Sequence, residues 1–281
     1  MSCQISVVIP TFNRCTLLRQ CLDSLERQTL DHSAFEVIVV VDGSTDGTEA
    51  FLKDYQPEYP FRYLVQENKG LSAARNAGNR IAAGNIILCL DNDMIAAPEL
   101  VAAHLHIQKE SPGSLVQGNL KIHASVNRSC YLRYEERILE QLFQNKARAT
   151  ELSADDVSGG NISIARDVLD KAGGFNEELR RMRNTDGELA YRLQQLDVPV
   201  RYCSPALAYQ THIKDFEETL EASMLYGRAY VHTSRQFPES IWEYSPLVND
   251  RCSTLRNLAR RCYIRPRSEW GCGMFEGLLR I

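Results

Sequence analysis

The sequence predicts an α/β protein with a Rossmann-like, mostly parallel sheet that carries helices on both faces. Two observations support this fold class. Strand-like and helix-like segments alternate over the first ninety residues, which is the pattern of βαβ units. Residues 35–41 form an almost continuous apolar run, which is typical of a central parallel strand covered on both faces.

The first half of the chain supplies four predicted strands and three predicted helices. The strands are 5–10, 35–41, 61–65 and 86–90. The first helix runs from Arg14 to about Gln28, with Asn13 as a candidate N-cap. A second helix begins near Thr48, and a third spans 70–83, where an alanine-rich pattern is interrupted by Gly78.

The second half is less regular. Helices are predicted at 99–109, 131–147 and 184–196, and strands at 114–122, 157–164 and 198–203. We expect helix 131–147 to be amphipathic, with Tyr134, Ile138 and Leu142 in register on its apolar face. The helix at 184–196 begins with the spacing of a capping box, Thr185 and Glu188. Paired glycines in 157–164 predict close approach of a ligand or another backbone.

Composition narrows the classes of function. A net charge of −4 disfavours nucleic-acid binding, which calls for a basic surplus. No apolar stretch approaches the ~20 residues that span a bilayer, and the N-terminus has no basic region typical of a signal peptide. Most of the nine cysteines, including Cys21, Cys89 and Cys203, sit in apolar or helical patterns. These features predict reduced thiols in a cytoplasmic protein.

Three polar segments follow the ends of predicted strands, at Thr11, Asp42 and Asp91. Right-handed crossovers place such loops at one edge of a parallel sheet, where ligands bind. Asp91 and Asp93 are two carboxylates one residue apart, and such pairs suit Mg²⁺ or Mn²⁺, which also take water and phosphate oxygens. An acidic turn is the alternative.

The C-terminal stretch 251–267 has six arginines and no acidic residue. Leu255, Leu258 and Cys262 are spaced to share one helical face. Peripheral contact with an anionic membrane surface and a solvated face on a docked helix both account for this pattern.

An ordered set of motifs points to a family. In chain order they are VVIPTFNR at 7–14, VDGSTDGT at 41–48, NKGLSAARNAG at 68–78, LDND at 90–93, GGNIS at 159–163, GGFNE at 173–177 and DGELAYRL at 186–193. The set closely resembles the inverting glycosyltransferases of family 2, and it covers roughly residues 4–212. The resemblance implies a GT-A fold with a donor-binding half at 1–95, an acceptor-binding and catalytic half at 96–235, and a basic, helical extension at 236–281.

The resemblance also implies a function and a site. The substrates are a nucleotide-sugar donor, commonly a UDP-sugar, and a glycan or glycolipid acceptor. Asp42 and Arg75 match positions that contact the base, and Asp91 matches one near the ribose. Asp93 matches a ligand of a divalent cation, Mg²⁺ or Mn²⁺, and His212 resembles a second ligand found in some relatives.

The remaining implied roles concern catalysis and the donor pocket. Asp186 matches the catalytic base. Further positions that line the donor pocket are Pro10, Thr11, Asn13, Gly160 and Asn161. The chemistry suits these groups, because a metal stabilises the leaving diphosphate while a carboxylate on the opposite side of the sugar carbon deprotonates the acceptor.

Two positions depart from the family pattern. Val41 precedes Asp42 where the family usually has a second acid, and Thr185 precedes Asp186 where relatives often have Glu. Each role also has a structural alternative. Asp186 is equally suited to a helix N-terminus, Asp42 and Asp46 to a turn, Arg75 to a helix surface and His212 to a packed or surface position.

Other functions fit the sequence less well. The departures at Val41 and Thr185 motivate a degenerate module that binds nucleotide or glycan without catalysis. A sugar nucleotidyltransferase usually carries a glycine-rich basic loop after its first strand, and residues 10–14 do not provide one. A dehydrogenase is disfavoured because no GxGxxG follows a strand.

Overall fold

The computed structural model describes residues 3–126, 130–149, 152–180, 184–214 and 216–236. The strands are β1 Ile5–Thr11, β2 Phe35–Asp42, β3 Phe61–Gln66, β4 Ile86–Leu90, β5 Met94–Ala96, β6 Leu115–Ile122, β7 Asn161–Ala165 and β8 Val200–Gln210. The helices are α1 Cys15–Leu25, α2 Thr48–Asp54, α3 Leu71–Ile81, α4 Leu100–Glu110, α5 Cys130–Arg148, α6 Arg166–Lys171, α7 Thr185–Gln194 and α8 Phe216–Gln236. Short 3₁₀ turns occupy His32–Ala34, Ala154–Asp156 and Glu177–Leu179.

All eight strands belong to one sheet in the order β3-β2-β1-β4-β7-β6-β8-β5. The pairs β1–β2, β2–β3, β1–β4 and β6–β8 are parallel, whereas β4–β7, β6–β7 and β5–β8 are antiparallel. The predicted α/β class with a mostly parallel sheet is therefore confirmed. The sheet lies in a compact unit of Met1–Ala229, and of the second unit, Tyr230–Ile281, only the end of α8 is described.

Strands β1 and β2 are buried along their whole length, which explains their continuous apolar sequences. Side chains alternate between the two faces of a strand, and Val7 and Ile9 join Leu18 of α1 in the main core cluster. On the other face α3 lies so close that a Cβ at Gly78 would sit 2.4 Å from Val8 Cγ1. The glycine that interrupts the α3 sequence pattern therefore allows the helix to pack on β1.

Two predicted helix caps are wrong. The N-cap of α1 is Arg14, which makes no capping hydrogen bond from its side chain, and Asn13 has a positive φ of 49°. The N-cap of α7 is Asn184, and the Glu188 carboxylate pairs with Arg192 at 2.9 Å. The side chains that the sequence predicted as caps bind other partners: Asn13 binds the Thr45 amide, and Glu188 binds Arg192.

The predicted apolar face of α5 is also wrong. Ile138 is 44% exposed and Leu142 39%, whereas Phe143 is buried and Leu139 packs against the core. The buried stripe is thus shifted by one residue, and nothing is described of the Tyr134 side chain. Sequence reasoning also missed β5, α6 and α8, of which β5 has only three residues.

Several expectations concern the chemical setting of the chain. Cys21, Cys89 and Cys203 are buried free thiols, as expected. No helix in the described ranges has both the length and the apolar character needed to cross a bilayer. The basic stretch 251–267 and the extension 236–281, except for Gln236, lie outside the described residues.

Candidate active site

A cleft of about 380 Å³ opens where β1, β2 and β4 end. Its lining includes Pro10, Thr11, Asp42 and Asp91, so the structure brings together the three strand-end segments that the sequence placed at one edge. Thr11 is tied to the β4–β5 turn, because its Oγ1 accepts a hydrogen bond of 2.8 Å from Asn92 Nδ2. The walls of the cleft are therefore held by side-chain contacts between different strands.

Asp42 lines this cleft and also organises the turn before α3. Its Oδ1 accepts hydrogen bonds of 2.8 Å from Gln66 Nε2 and from the Lys69 amide, and its Oδ2 accepts one of 2.8 Å from the Gly70 amide. These three bonds link the ends of β2 and β3 to the start of α3. Asp42 therefore has the turn-forming role that was the alternative for it. It also lines the cleft, where a nucleotide-sugar donor would bind.

Asn13 and Asp46 tie the loop after β1 to the loop after β2. Asn13 Oδ1 accepts from the Thr45 amide at 2.7 Å, and Asp46 Oδ2 accepts from the Cys15 amide at 2.8 Å. The structural role expected for Asp46 agrees with these contacts. Asn13 was predicted to line the donor pocket, but the structure gives its side chain this loop contact instead of a place in the cleft lining.

Asp93 has the features expected of a cation ligand. Its Oδ2 pairs with Arg14 Nη1 at 3.2 Å, whereas its buried Oδ1 has no hydrogen-bond partner among the described residues. Burial, assisted by the nearby charge of Asp91, raises the pKa of Asp93 to about 6. A buried carboxylate oxygen without a donor is costly, and a hard cation would satisfy it.

His212 directly follows Thr211, which is bonded to the backbone of Asp93. Thr211 donates from both its amide and its Oγ1 to the Asp93 carbonyl, each at 2.9 Å, which brings the end of β8 to the β4–β5 turn. Burial, followed by the charge of Arg14, lowers the pKa of His212. This shift favours the neutral imidazole, which is the form that binds a metal.

Asp93 offers a cation one unpartnered carboxylate oxygen, and the segment that carries His212 is bonded to the same turn. In the described ranges, the one group of three potential ligand atoms within 4.8 Å of one another is Glu26, His32 and Glu58, and none of these lines the cleft. One carboxylate and one imidazole suit Mn²⁺ or Mg²⁺ when a diphosphate and water complete the coordination.

Asp186 lies at the first turn of α7 and faces Arg75 of α3. Arg75 Nη1 donates to Asp186 Oδ1, and Arg75 Nη2 donates to Asp91 Oδ1 at 2.9 Å. The guanidinium lies over the Phe175 ring at 5.0 Å and is 0% exposed. The helix-surface alternative for Arg75 is therefore wrong, and contact of its side chain with a nucleotide base has no support in this geometry.

The paired glycines 159 and 160 make room for two carboxylates. A Cβ at Gly159 would lie 1.9 Å from Asp186 Oδ2, and one at Gly160 would lie 2.7 Å from Asp91 Oδ2. Gly160 also adopts a φ of 90°, which favours glycine. The expected close approach is confirmed, but the approaching groups are carboxylate side chains.

Burial has the largest effect on the pKa of Asp186 and raises it. The charge of Asp91 acts in the same direction, while Arg75 opposes it. A carboxylate whose pKa lies above its ordinary value is a stronger base than a solvated one, and the neighbouring guanidinium favours its ionised form. Asp186 therefore has the electrostatics of a general base.

Asn161 has no free side-chain contact to offer the cleft. Its Nδ2 donates to the carbonyls of Ala206 at 2.9 Å and Asn119 at 3.1 Å, and its Oδ1 lies 2.8 Å from His104 Nε2. Burial lowers the pKa of His104 to about 4, so this network is neutral. The network supports β7, and the predicted donor contact of Asn161 gains no support from it.

Sequence reasoning missed several residues of the cleft, among them Phe12, Arg14, Asn68 and Arg180. Arg14 directly follows Asn13 in the first motif, and its charge was an available signal. Arg180 lies outside every motif. Its guanidinium donates to the Asn68 carbonyl, and its backbone and Cγ lie against Gly70, so only the folded chain shows that it belongs here.

Known proteins resemble this chain in sequence. The model of the family described as "Glycosyl transferase family 2" matches residues 6–173. A validoxylamine A glucosyltransferase from Streptomyces hygroscopicus subsp. jinggangensis is 28% identical over 265 residues, covering 85% of this chain and 63% of the relative. The chondroitin synthase of Escherichia coli is 28% identical over 236 residues, covering 73% of this chain and 34% of the relative. The chain thus spans less than two thirds of the length of these relatives.

Solved structures show the same fold. Staphylococcus aureus TarS 1–349 in complex with UDP has a TM-score of 0.61 at 19% identity, covering 86% of this chain and 72% of TarS. The mannosyltransferase PcManGT from Pyrobaculum calidifontis, in complex with GDP-Man and Mn²⁺, has a TM-score of 0.65 at 19% identity, covering 100% and 75%. The predicted GT-A fold is confirmed.

Proposed function

Because the chain belongs to glycosyl transferase family 2, we propose that it transfers a sugar from a nucleotide diphosphate sugar to a hydroxyl group of an acceptor, with inversion at the anomeric carbon. One observation carries this proposal. Arg75 links Asp186, the candidate base, to Asp91, which lines the cleft. A base and a donor-binding wall thus meet at one place, although they come from distant parts of the chain.

We place the donor in the cleft between the ends of β1, β2 and β4. Asp42 and Asp91 offer carboxylates to the nucleoside, and Pro10 and Thr11 form the facing wall. The complexes of TarS with UDP and UDP-GlcNAc favour a UDP-sugar, whereas the GDP-Man complex of PcManGT makes GDP the first alternative. A glycan or glycolipid remains our proposal for the acceptor.

Asp93 and His212 would hold a divalent cation, Mn²⁺ or Mg²⁺, against the diphosphate. When bound, such an ion supplies positive charge that stabilises the leaving group. Arg14 occupies one Asp93 oxygen and lines the same cleft, so its guanidinium is placed to contact phosphate oxygens.

Asp186 receives the acceptor proton. The hydroxyl oxygen attacks the anomeric carbon while the bond from that carbon to the diphosphate oxygen breaks, and the proton passes to the carboxylate. Arg75 occupies Asp186 Oδ1, so the proton passes in this scheme to Oδ2, the oxygen that lies against Gly159. A single displacement from the face opposite the diphosphate inverts the anomeric configuration.

The two departures from the family pattern are compatible with this scheme. Val41 is a buried β2 residue, and Asp42 alone carries the carboxylate contacts. Thr185 is buried, and Asp186 is oriented by Arg75 without an adjacent acid. The division into halves at 1–95 and 96–235, a cytoplasmic location and peripheral membrane contact through 251–267 remain predictions.

The test uses Asp186→Asn, which keeps the shape of the side chain but removes its charge. Binding of UDP and GDP with Mn²⁺ is measured by calorimetry, and turnover is measured as release of nucleotide from UDP- and GDP-sugars. We expect nucleotide affinity within about twofold of the unmodified chain and turnover reduced ~10³-fold, as for loss of a general base. Unchanged turnover would exclude Asp186 as the base, and nucleotide binding without turnover in the unmodified chain would favour the binding-only module.

A further inference from the structure

Arg75 is the largest side chain that is fully buried in the described residues. We propose that it is a positioning residue: it holds the Asp186 and Asp91 carboxylates in one triad around its buried guanidinium, which fixes the candidate base beside the donor cleft, and it does not touch the nucleotide. This inference rests on the proposed function. It departs from the base-contacting role that the family resemblance implies for this position.

Burial is the first argument. Arg75 is 0% exposed, so its guanidinium has no surface on which a nucleotide base could rest. Moving it to the cleft would remove the cationic partner of Asp186 and of Asp91, whose side chains are only 16% and 35% exposed, and would leave both carboxylates unpaired. The ground state of this site therefore keeps Arg75 beneath the cleft.

The fork of the guanidinium is the second argument. One terminal nitrogen binds Asp186 of α7 and the other binds Asp91 after β4. Arg75 and Asp186 are 111 residues apart in the sequence, so the contact joins two distant segments. A planar guanidinium sets the directions of both bonds, whereas a lysine ammonium is a point charge without that fork.

The surroundings of Arg75 are the third argument. Asn76, the next residue on α3, donates from Nδ2 to the Phe175 carbonyl at 2.8 Å and accepts from the Phe175 amide at 2.9 Å. These bonds hold the Phe175 ring against the guanidinium. The Phe175 ring thus covers Arg75, and Phe175 is itself held in place by Asn76, the residue that follows Arg75 on α3.

Two glycines, Gly159 and Gly160, pack against the carboxylates of the triad. Gly159 stands against Asp186 Oδ2, and Gly160 stands against Asp91 Oδ2. Each carboxylate thus has Arg75 on one oxygen and a glycine at the other. A side chain held on both sides has few alternative positions, so a change at Arg75 is transmitted to the orientation of the candidate base.

The experiment compares Arg75→Lys with Arg80→Lys, a conservative change of an exposed arginine on the same helix. UDP affinity with Mn²⁺ is measured by calorimetry, with GDP used if UDP gives no signal. Turnover is measured as nucleotide release from UDP-GlcNAc and GDP-mannose. We expect Arg75→Lys to bind nucleotide within about twofold of the unmodified chain and to lose ~100-fold in turnover at an unchanged KM, because a misplaced reacting group costs this much. Arg80→Lys should change neither quantity.

A double variant separates the inference from the proposed function. If Arg75 acts through Asp186, adding Arg75→Lys to Asp186→Asn produces no further loss of turnover. Nucleotide binding weakened as much as turnover in Arg75→Lys would overturn the inference and favour a contact with the base, and full turnover in that variant would also overturn it. Full turnover in Asp186→Asn would instead remove the proposed base. Thermal melting of each variant identifies any that fails to fold, and Arg75→Gln then provides a second, uncharged replacement.

Discussion

Two carboxylates of the candidate site, Asp93 and Asp186, are both paired with an arginine, but the arginines are held very differently. The Arg14 side chain is 38% exposed at the edge of the cleft, and it leaves Asp93 Oδ1 without a partner. Arg75 is 0% exposed and bridges two carboxylates. An exposed pair is worth little and exchanges readily, whereas a buried pair persists. The first arrangement suits a carboxylate that takes up a cation, and the second suits one whose position must not change.

The sequence alone did not predict this difference between Arg14 and Arg75. The motifs located Asp93, Asp186 and Arg75, but they assigned Arg75 a contact with the nucleotide base, with a helix-surface position as the alternative. Its partners lie 16 and 111 residues away, and helix periodicity carries no information about such contacts. The role of a buried charge depends on its tertiary partners.

The fold itself was more accessible to prediction. Strands β1, β2 and β4 are signalled by apolar runs because they are buried, and the order of the first four strands with the intervening helices sets the parallel sheet. The failures were helix-capping rules that other side-chain partners overrode. Asn13 bonds to Thr45 across the loops instead of capping α1, and Glu188 pairs with Arg192 instead of closing a capping box.

We expect the largest effect on turnover from a substitution of Gly159, the glycine that packs against Asp186. In Gly159→Ala the new Cβ would overlap Asp186 Oδ2, so the carboxylate must leave its place. We expect turnover to fall ~10³-fold, similar to loss of the base itself, while Mn²⁺-dependent nucleotide binding persists. Gly227→Ala, where a Cβ would meet nothing within 4 Å, is the matched control. Retained turnover in Gly159→Ala would contradict the close packing described here.

A second prediction concerns how the stability of the fold depends on pH through His104, separately from the titration of Asp93 and Asp186. His104 has a pKa of about 4 in the folded chain, below the ordinary value of 6.5, so the unfolded chain binds more protons between these values. Stability should therefore rise with pH from about 4 to 6.5 and be fully present above it, and this group contributes roughly 3 kcal/mol over that window.

The measurement is the free energy of unfolding against pH for the unmodified chain and for His104→Gln. The difference between the two curves isolates the imidazole from the site carboxylates. We expect the variant to have a smaller slope between pH 4 and 6.5. Parallel curves would show that the His104 network does not cause the acid sensitivity.

The most direct test of the contrast between the two carboxylates is an Mn²⁺ titration, followed by electron paramagnetic resonance in the presence of UDP. We predict that Asp93→Asn weakens Mn²⁺ binding at least ~10-fold, as expected for loss of a charged ligand, and that Asp186→Asn leaves it within about twofold. Without nucleotide, Arg14→Gln should tighten Mn²⁺ binding by up to ~5-fold, because the exposed pair it removes is worth no more than about 1 kcal/mol. Equal loss in Asp93→Asn and Asp186→Asn, or unchanged binding in Asp93→Asn, would contradict the assignment of one carboxylate to the cation and the other to the acceptor.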